Sequence, residues 1–331
     1  NAFSSLLSSL PAAHGGYLGQ SIALAVAVSW TVCALLSETV SRRLGAHVVN
    51  VLRMVLSLLF IGALLWVCTG SPLPPRADAT TWGWLLASGL VGYVFGDYCL
   101  FNAYLLIGSR FGQLFMTLAP AVSAVAGWLL LGERLSAQAL AGMAVTMTGI
   151  AVSILGRGAP DGENEGRRRR KVRLNLPTRG VLLGIGAGVG QGLGLTLSAV
   201  GLKHYAAVGG GEGGDVDGLS PAATQMRAVA GLPGFLLILF LAGKGDALRR
   251  ACTDGRGWLL MAATVVFGPF VGVSLSLMAT QYTSTGVAMT IMSLSPVLIL
   301  WPAHVLFGQR VTRREVLGAL ISVAGVALFF V

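Results

Sequence analysis

The stretch MTLAPAVSAVAGWLLLGERL at residues 116–135 returns 176 residues later as MSLSPVLILWPAHVLFGQRV at residues 292–311. Met116, Leu118, Pro120, Gly132 and Arg134 fall on Met292, Leu294, Pro296, Gly308 and Arg310, and the same offset carries Gly142 and Gly149 onto Gly318 and Gly325. An ungapped repeat of this length divides the chain into two related halves. The correspondence reaches upstream as well: Gly92 and Gly96 fall on Gly268 and Gly272, and Arg53 falls on Arg227 at an offset of 174.

Each copy lies inside a run of apolar residues, and such runs fill the chain. Of 331 residues, 54% are hydrophobic and only 11% charged, far more apolar matter than a water-soluble domain of that size holds. Runs near twenty residues read as membrane helices, and the sequence lacks the strand-length alternation of a membrane barrel. Cys33, Cys68, Cys99 and Cys252 have no paired spacing and read as small buried hydrophobes. The net charge of +10 sits in loops between spans, so it reports orientation and not nucleic-acid binding.

The reading is an all-α integral membrane protein of ten transmembrane helices arranged as two inverted five-helix repeats. Residues 1–156 form the first repeat, with spans at about 17–37, 47–68, 81–107, 111–131 and 136–155. Residues 157–178 form a polar linker carrying Arg167, Arg168, Arg169, Arg170 and Lys171. Residues 179–331 form the second repeat, with spans at about 180–202, 219–242, 257–281, 284–307 and 314–331. Five is odd, so two similar units must enter the membrane from opposite sides, as in secondary transporters with a midplane substrate site. Eighteen of the 23 Lys and Arg residues fall in loops on one face, against three on the other, with Arg53 and Arg227 inside spans. By the positive-inside rule that basic face is cytoplasmic and both termini face outward.

Charges inside a span are costly and face a partner or an aqueous cavity. Arg53 and Asp97 stand at equal depth on consecutive antiparallel spans, so they read as a buried ion pair, with a protonatable, coupling role for Asp97 as the alternative. Arg227 has no matching acid in its own half. It reads equally as a docking group for a substrate carboxylate or phosphate, or as a side chain that reaches the near interface. Pro120 and Pro296 each remove a backbone hydrogen bond within a span and mark matched kinks. Gln113 and Thr117, and Thr290 and Ser293, lie on those two helices, while Trp30, Tyr93, Tyr98, Asn102, Gln191 and Gln281 are further pathway candidates. In the sixth span Gly184, Gly188 and Gly192 form one stripe and Gly186, Gly190 and Gly194 another, a pattern for close helix packing on two faces. The four histidines are scattered and no metal or nucleophile spacing occurs, so no catalytic residue, metal site or cofactor is expected.

Two five-helix repeats, each with an intramembrane proline, a Gly-Glu/Gln-Arg turn and a closing glycine-bearing helix, resemble the drug/metabolite transporter superfamily, specifically its EamA-like exporters. Gln309 stands where the first copy has Glu133, and the family's usual arrangement puts the termini inside. The resemblance implies a carrier in a bacterial plasma (inner) membrane, a small polar and amino-acid-like substrate, and alternating access with or without coupled protons. A facilitative channel or a membrane-assembly subunit is the alternative, and a membrane enzyme a weaker one. The expected partners are the small-molecule substrate and membrane lipid, with anionic lipid at the 167–171 run; nucleic acid is not expected, and the chain reads as a monomer.

Overall fold

The computed structural model describes residues 17–74, 76–156, 177–208, 219–298, 302 and 313–329. All of the regular structure in them is helical. In chain order the elements are α1 Leu18–Leu44, α2 Ala46–Thr69, α3 Ala79–Gly89, a π-helical stretch Leu90–Asp97, α4 Tyr98–Met116, α5 Leu118–Leu131 and α6 Ala137–Gly156. The second half follows with α7 Thr178–Ala207, α8 Leu219–Leu241, the short α9 Gly245–Ala251, α10 Gly255–Val265, a second π-helical stretch Val266–Val273, α11 Ser274–Tyr282, α12 Thr285–Met292, α13 Ser295–Leu298 and α14 Arg313–Ala327. Among the described residues six helices are long and apolar enough to cross a membrane, and Leu118–Leu131, Ala137–Val152 and Val316–Ala327 are shorter apolar helices. The basic run at 167–171, the turn holding Gln309, the first sixteen residues and most of the 208–218 loop lie outside the described residues.

Burial is inverted relative to a protein in water. Val67 is 87% exposed and Leu241 79%, while Arg227 is 4% exposed and Asp97 6%. Apolar side chains outside and charges inside are what a hydrocarbon solvent selects, because an unpaired charge there is far more costly than an exposed leucine.

The repeat is visible in the backbone as well as in the residues. The two π-helical stretches begin and end 176 residues apart, and both carry the glycine pair, Gly92 and Gly96 or Gly268 and Gly272. Asp78 and Asp254, also 176 apart, cap the N-termini of α3 and α10 by accepting from the N–H of Thr81 (2.9 Å) and Gly257 (3.1 Å). Helix α4 stops at Met116 and α12 at Met292, four residues before Pro120 and Pro296. A proline has no N–H for the carbonyl four residues earlier, so the helix breaks there in both copies.

The halves interlock reciprocally. Helix α7 packs along the third and fourth segments of the first half, and α1 packs along their counterparts in the second. Helices α2 and α8, and α6 and α14, each meet their own counterpart. This is the contact pattern of a twofold relation, in which a pair and its swapped pair both occur. In the last of these pairs a β-carbon on Gly325 would lie 2.5 Å from the N–H of Thr146, and one on Gly149 would lie 2.6 Å from the hydroxyl of Ser322, the counterpart of Thr146.

The two glycine stripes of α7 take different partners. Gly188 and Gly192 lie against Phe115 and Ala119, whereas Gly190 and Gly194 lie against Gly96 and Gly92. Along α7, residues 92–107 run backwards, with Gly92 at Gly194 and Ile107 at Gly180, and residues 115–119 run forwards. Helical conformation persists through the reversal between them, within α4.

Candidate functional site

Four elements meet where the π-helical stretch of the first half passes α2, α7 and α8. On α2, Arg53 donates from Nη2 to Oδ2 of Asp97. The other carboxylate oxygen, Oδ1, accepts from Gln191 Nε2 on α7 at 2.7 Å, and the same amide reaches the carbonyl of Gly92 at 3.2 Å. The expected ion pair is therefore present, and Gln191 completes it. A buried pair held by an extra hydrogen bond avoids most of the penalty that either charge would meet alone. Gln191 can come this close because Gly96 has no side chain: a β-carbon there would lie 3.3 Å from the amide nitrogen.

Arg227 lies on α8 and does not reach an interface. It is buried, with its guanidinium 4.5 Å above the ring of Tyr93, and a β-carbon on Gly92 would lie 3.0 Å from its Nη2. Among the described residues no carboxylate pairs with it. Tyr93 is exposed to the charges of Arg227, Arg53 and Asp97 together. Four buried polar atoms in this neighbourhood have no partner among the described residues: Arg227 Nε, Arg53 Nε, the Tyr93 hydroxyl and Asn50 Oδ1. Native interiors leave few such atoms, and these four fall on residues of one junction.

A narrow cleft approaches the junction from one end, lined by His47, Asn50, Tyr98, Asn102 and the apolar Phe101 and Phe235. Asn50 stands one turn from Arg53 on α2, and Tyr98 directly follows Asp97. Asn50 and His47 escape a search for intramembrane charges; polarity one turn from Arg53 in an apolar helix was the available signal.

The remaining sequence candidates are placed elsewhere. Trp30 lies against Gly272, in the role that Gln191 has against Gly96. Thr290 and Ser293 spend their hydroxyls within their own helix, on the carbonyls of Gly286 (2.7 Å) and Met289 (2.8 Å). Gln281 donates to Ser220 at 2.7 Å. Thr117 sits at the break between α4 and α5, and Pro120 is buried one turn into α5. The side chains of Gln113 and Pro296 lie outside the described residues.

Both ends of the bundle carry polar links between the halves. At one end Arg43, at the close of α1, pairs with the Asp254 cap of α10. At the other, His204, near the close of α7, lies 3.0 Å from the Asp78 cap of α3. These are counterpart pairs, and α2, about 36 Å long by its 24 residues, separates the ends. The hydroxyl of Thr81, then His204, holds the Asp78 carboxyl well below the usual carboxylate range, and Arg43 with the Gly257 N–H does the same for Asp254. Glu133 adds a third link at the Asp78 end. Gly132 closes α5 in the left-handed conformation (φ 68°), and this turns Glu133 back to accept from the N–H (3.0 Å) and hydroxyl (2.9 Å) of Thr285 at the start of α12. That is the physical content of the Gly-Glu-Arg turn.

The EamA-like transporter family matches the chain twice, over residues 17–155 and 178–331. A solved structure titled only as the crystal structure of a protein aligns with a TM-score of 0.65 at 17% identity, covering 94% of this chain and 95% of its own. At that identity the likeness is one of fold. No curated protein matches.

Proposed function

The chain belongs to the EamA-like transporter family, membrane transporters and not enzymes, and from that premise we propose a secondary active carrier that exports a small polar, amino-acid-like metabolite by alternating access. The observation that carries this reading is the pair of counterpart links, Arg43–Asp254 and His204–Asp78, at opposite ends of the bundle. Each joins one half to the other, so breaking one while keeping its counterpart would open one end alone. Between them lies the polar junction of Arg53, Asp97, Gln191, Tyr93 and Arg227.

The proposed plan in the membrane is ten spans in two inverted repeats, 1–156 and 179–331, joined by the 157–178 linker. Its support is that loops assigned to one face meet each other: the ends of the first and eighth spans at Arg43–Asp254, and those of the third and sixth at Asp78–His204. Charge bias then puts the Arg43 end and the 167–171 run in the cytoplasm, against anionic lipid, with both termini outside. The carrier works as a monomer in the inner membrane.

Counterflow in proteoliposomes tests the function. A carrier preloaded with unlabelled metabolite accumulates labelled metabolite transiently and saturably; flux proportional to the gradient with no counterflow would make it a channel. A C-terminal reporter active only outside the cytoplasm tests orientation, and activity of a cytoplasmic reporter there would reverse it.

A further inference from the structure

We infer that Arg227 binds a single negative charge on the transported metabolite, a carboxylate, and that Asp97 withholds Arg53 from that role, so that the site takes one anionic group and discriminates against two. The inference rests on the carrier reading and adds the chemistry of its cargo.

Three observations carry it. First, Arg227 is 4% exposed, and among the described residues its Nε has no partner and no carboxylate neutralises it. A guanidinium at that depth is costly unless an anion joins it, and its donor fork matches a carboxylate. The Tyr93 ring below it offers a face to the cation without cancelling its charge. Second, the arginine is kept in both copies of the repeat while the acid is not. Arg53 and Arg227 correspond, but the counterpart of Asp97 is Val273. The junction therefore holds two positive charges and one negative, an excess of one. Third, the neighbouring orphan groups suit the rest of a small polar molecule. The Tyr93 hydroxyl and Arg53 Nε can donate, and Asn50 Oδ1, beside the cleft, can accept an ammonium or hydroxyl proton.

A second carboxylate on the same ligand would need Arg53, whose Nη2 is already on Asp97 while Gln191 holds the other carboxylate oxygen. Displacing Asp97 would strand a buried carboxylate. Selection for one charge thus follows from the Arg53–Asp97 pair in the same junction as Arg227.

The test is binding to the purified full chain in detergent, read by calorimetry and by thermal shift, with propionate, L-alanine, their amides propionamide and L-alaninamide, and succinate. At least one of the two carboxylates should bind, its amide should not, and succinate should be the weaker acid. Arg227→Gln should weaken the carboxylate by roughly tenfold to a hundredfold, the span expected for a lost hydrogen-bonded charge, with Arg227→Lys between the two. Asp97→Asn should bring succinate up to the monocarboxylate, since it frees Arg53. An amide that binds as well as its acid, an Arg227→Gln protein with full affinity, or no response to either carboxylate in large excess overturns the inference. The acid–amide comparison uses the unmodified protein, so poor folding of a variant leaves it decisive. Because binding is read without flux, it can fail while counterflow succeeds, and the converse.

Discussion

Replacing Asp97 by Asn leaves Arg53 buried beside a neutral amide, and replacing Arg53 by Met leaves Asp97 buried with only Gln191 for company. The side chains of Arg53 and Asp97 are 15% and 8% exposed, so water screens the pair little and the discount proper to surface ion pairs does not apply. Breaking one member of such a pair costs about 3–5 kcal/mol, because the survivor keeps its desolvation penalty and loses its compensation. The Gln191 hydrogen bond, about 1.5–3 kcal/mol for a charged acceptor, survives in weakened form in Asp97→Asn, since the amide oxygen can still accept it. The double variant Arg53→Met, Asp97→Asn strands no charge. It should therefore be destabilised by about 2–4 kcal/mol less than the sum of the two single changes. Reversible denaturation by an anionic detergent in mixed micelles, followed by far-UV circular dichroism, measures all four corners of that cycle. Costs that add to within about 0.5 kcal/mol would show that the pair does not couple, and the account of the junction would fail with it.

Glu133→Ala should lower stability by about 1–2 kcal/mol through loss of the cap on α12, measured by the same denaturation; Glu133→Gln, which keeps one acceptor oxygen, should cost less. Gly325→Ala drives a methyl into the backbone of Thr146 and should cost about 1–3 kcal/mol by overpacking, while a substitution at the open Gly83 should be neutral by thermal shift. The Asp78 cap has a depressed native pKa, so its contribution is present above the ordinary carboxylate range and disappears as pH falls below it. The protection factors of the amides at the start of α3, taken against the intrinsic exchange rate at each pH, should fall on acidification below that range, and Asp78→Asn should flatten the pH dependence; an unchanged profile in the variant would refute the linkage.

Much of this was legible in the sequence because a membrane restricts what an apolar chain can do. Without water to satisfy backbone groups, runs of apolar residues become helices, and the repeat of Met116–Pro120 at Met292–Pro296 sets breaks at matching residues in both halves. Arg53 and Asp97 could be paired from depth alone, since a charge in a span is costly until a partner offsets it. The twin stripes of α7 declared two close faces, because closeness needs only the absence of side chains.

What the sequence left open are partners chosen across the halves. Arg227 reads two ways in the sequence, whereas the fold holds it on α8 over Tyr93 of the other half, with its Nε unmatched among the described residues. Thr290 and Ser293, polar and on a proline helix, looked like walls of the pathway, but their hydroxyls are spent on their own backbone. Glu133 could be recognised as part of a turn, but not as the cap of α12, and Asp78 and Asp254 could not be matched to His204 and Arg43. The helical class, the twofold repetition and the proline breaks follow from composition and from interactions a few residues apart, so they can be read from the order of residues. Which charge is cancelled and which is left over depends on which helices of opposite halves lie side by side, and residue spacing along one chain carries no record of that choice.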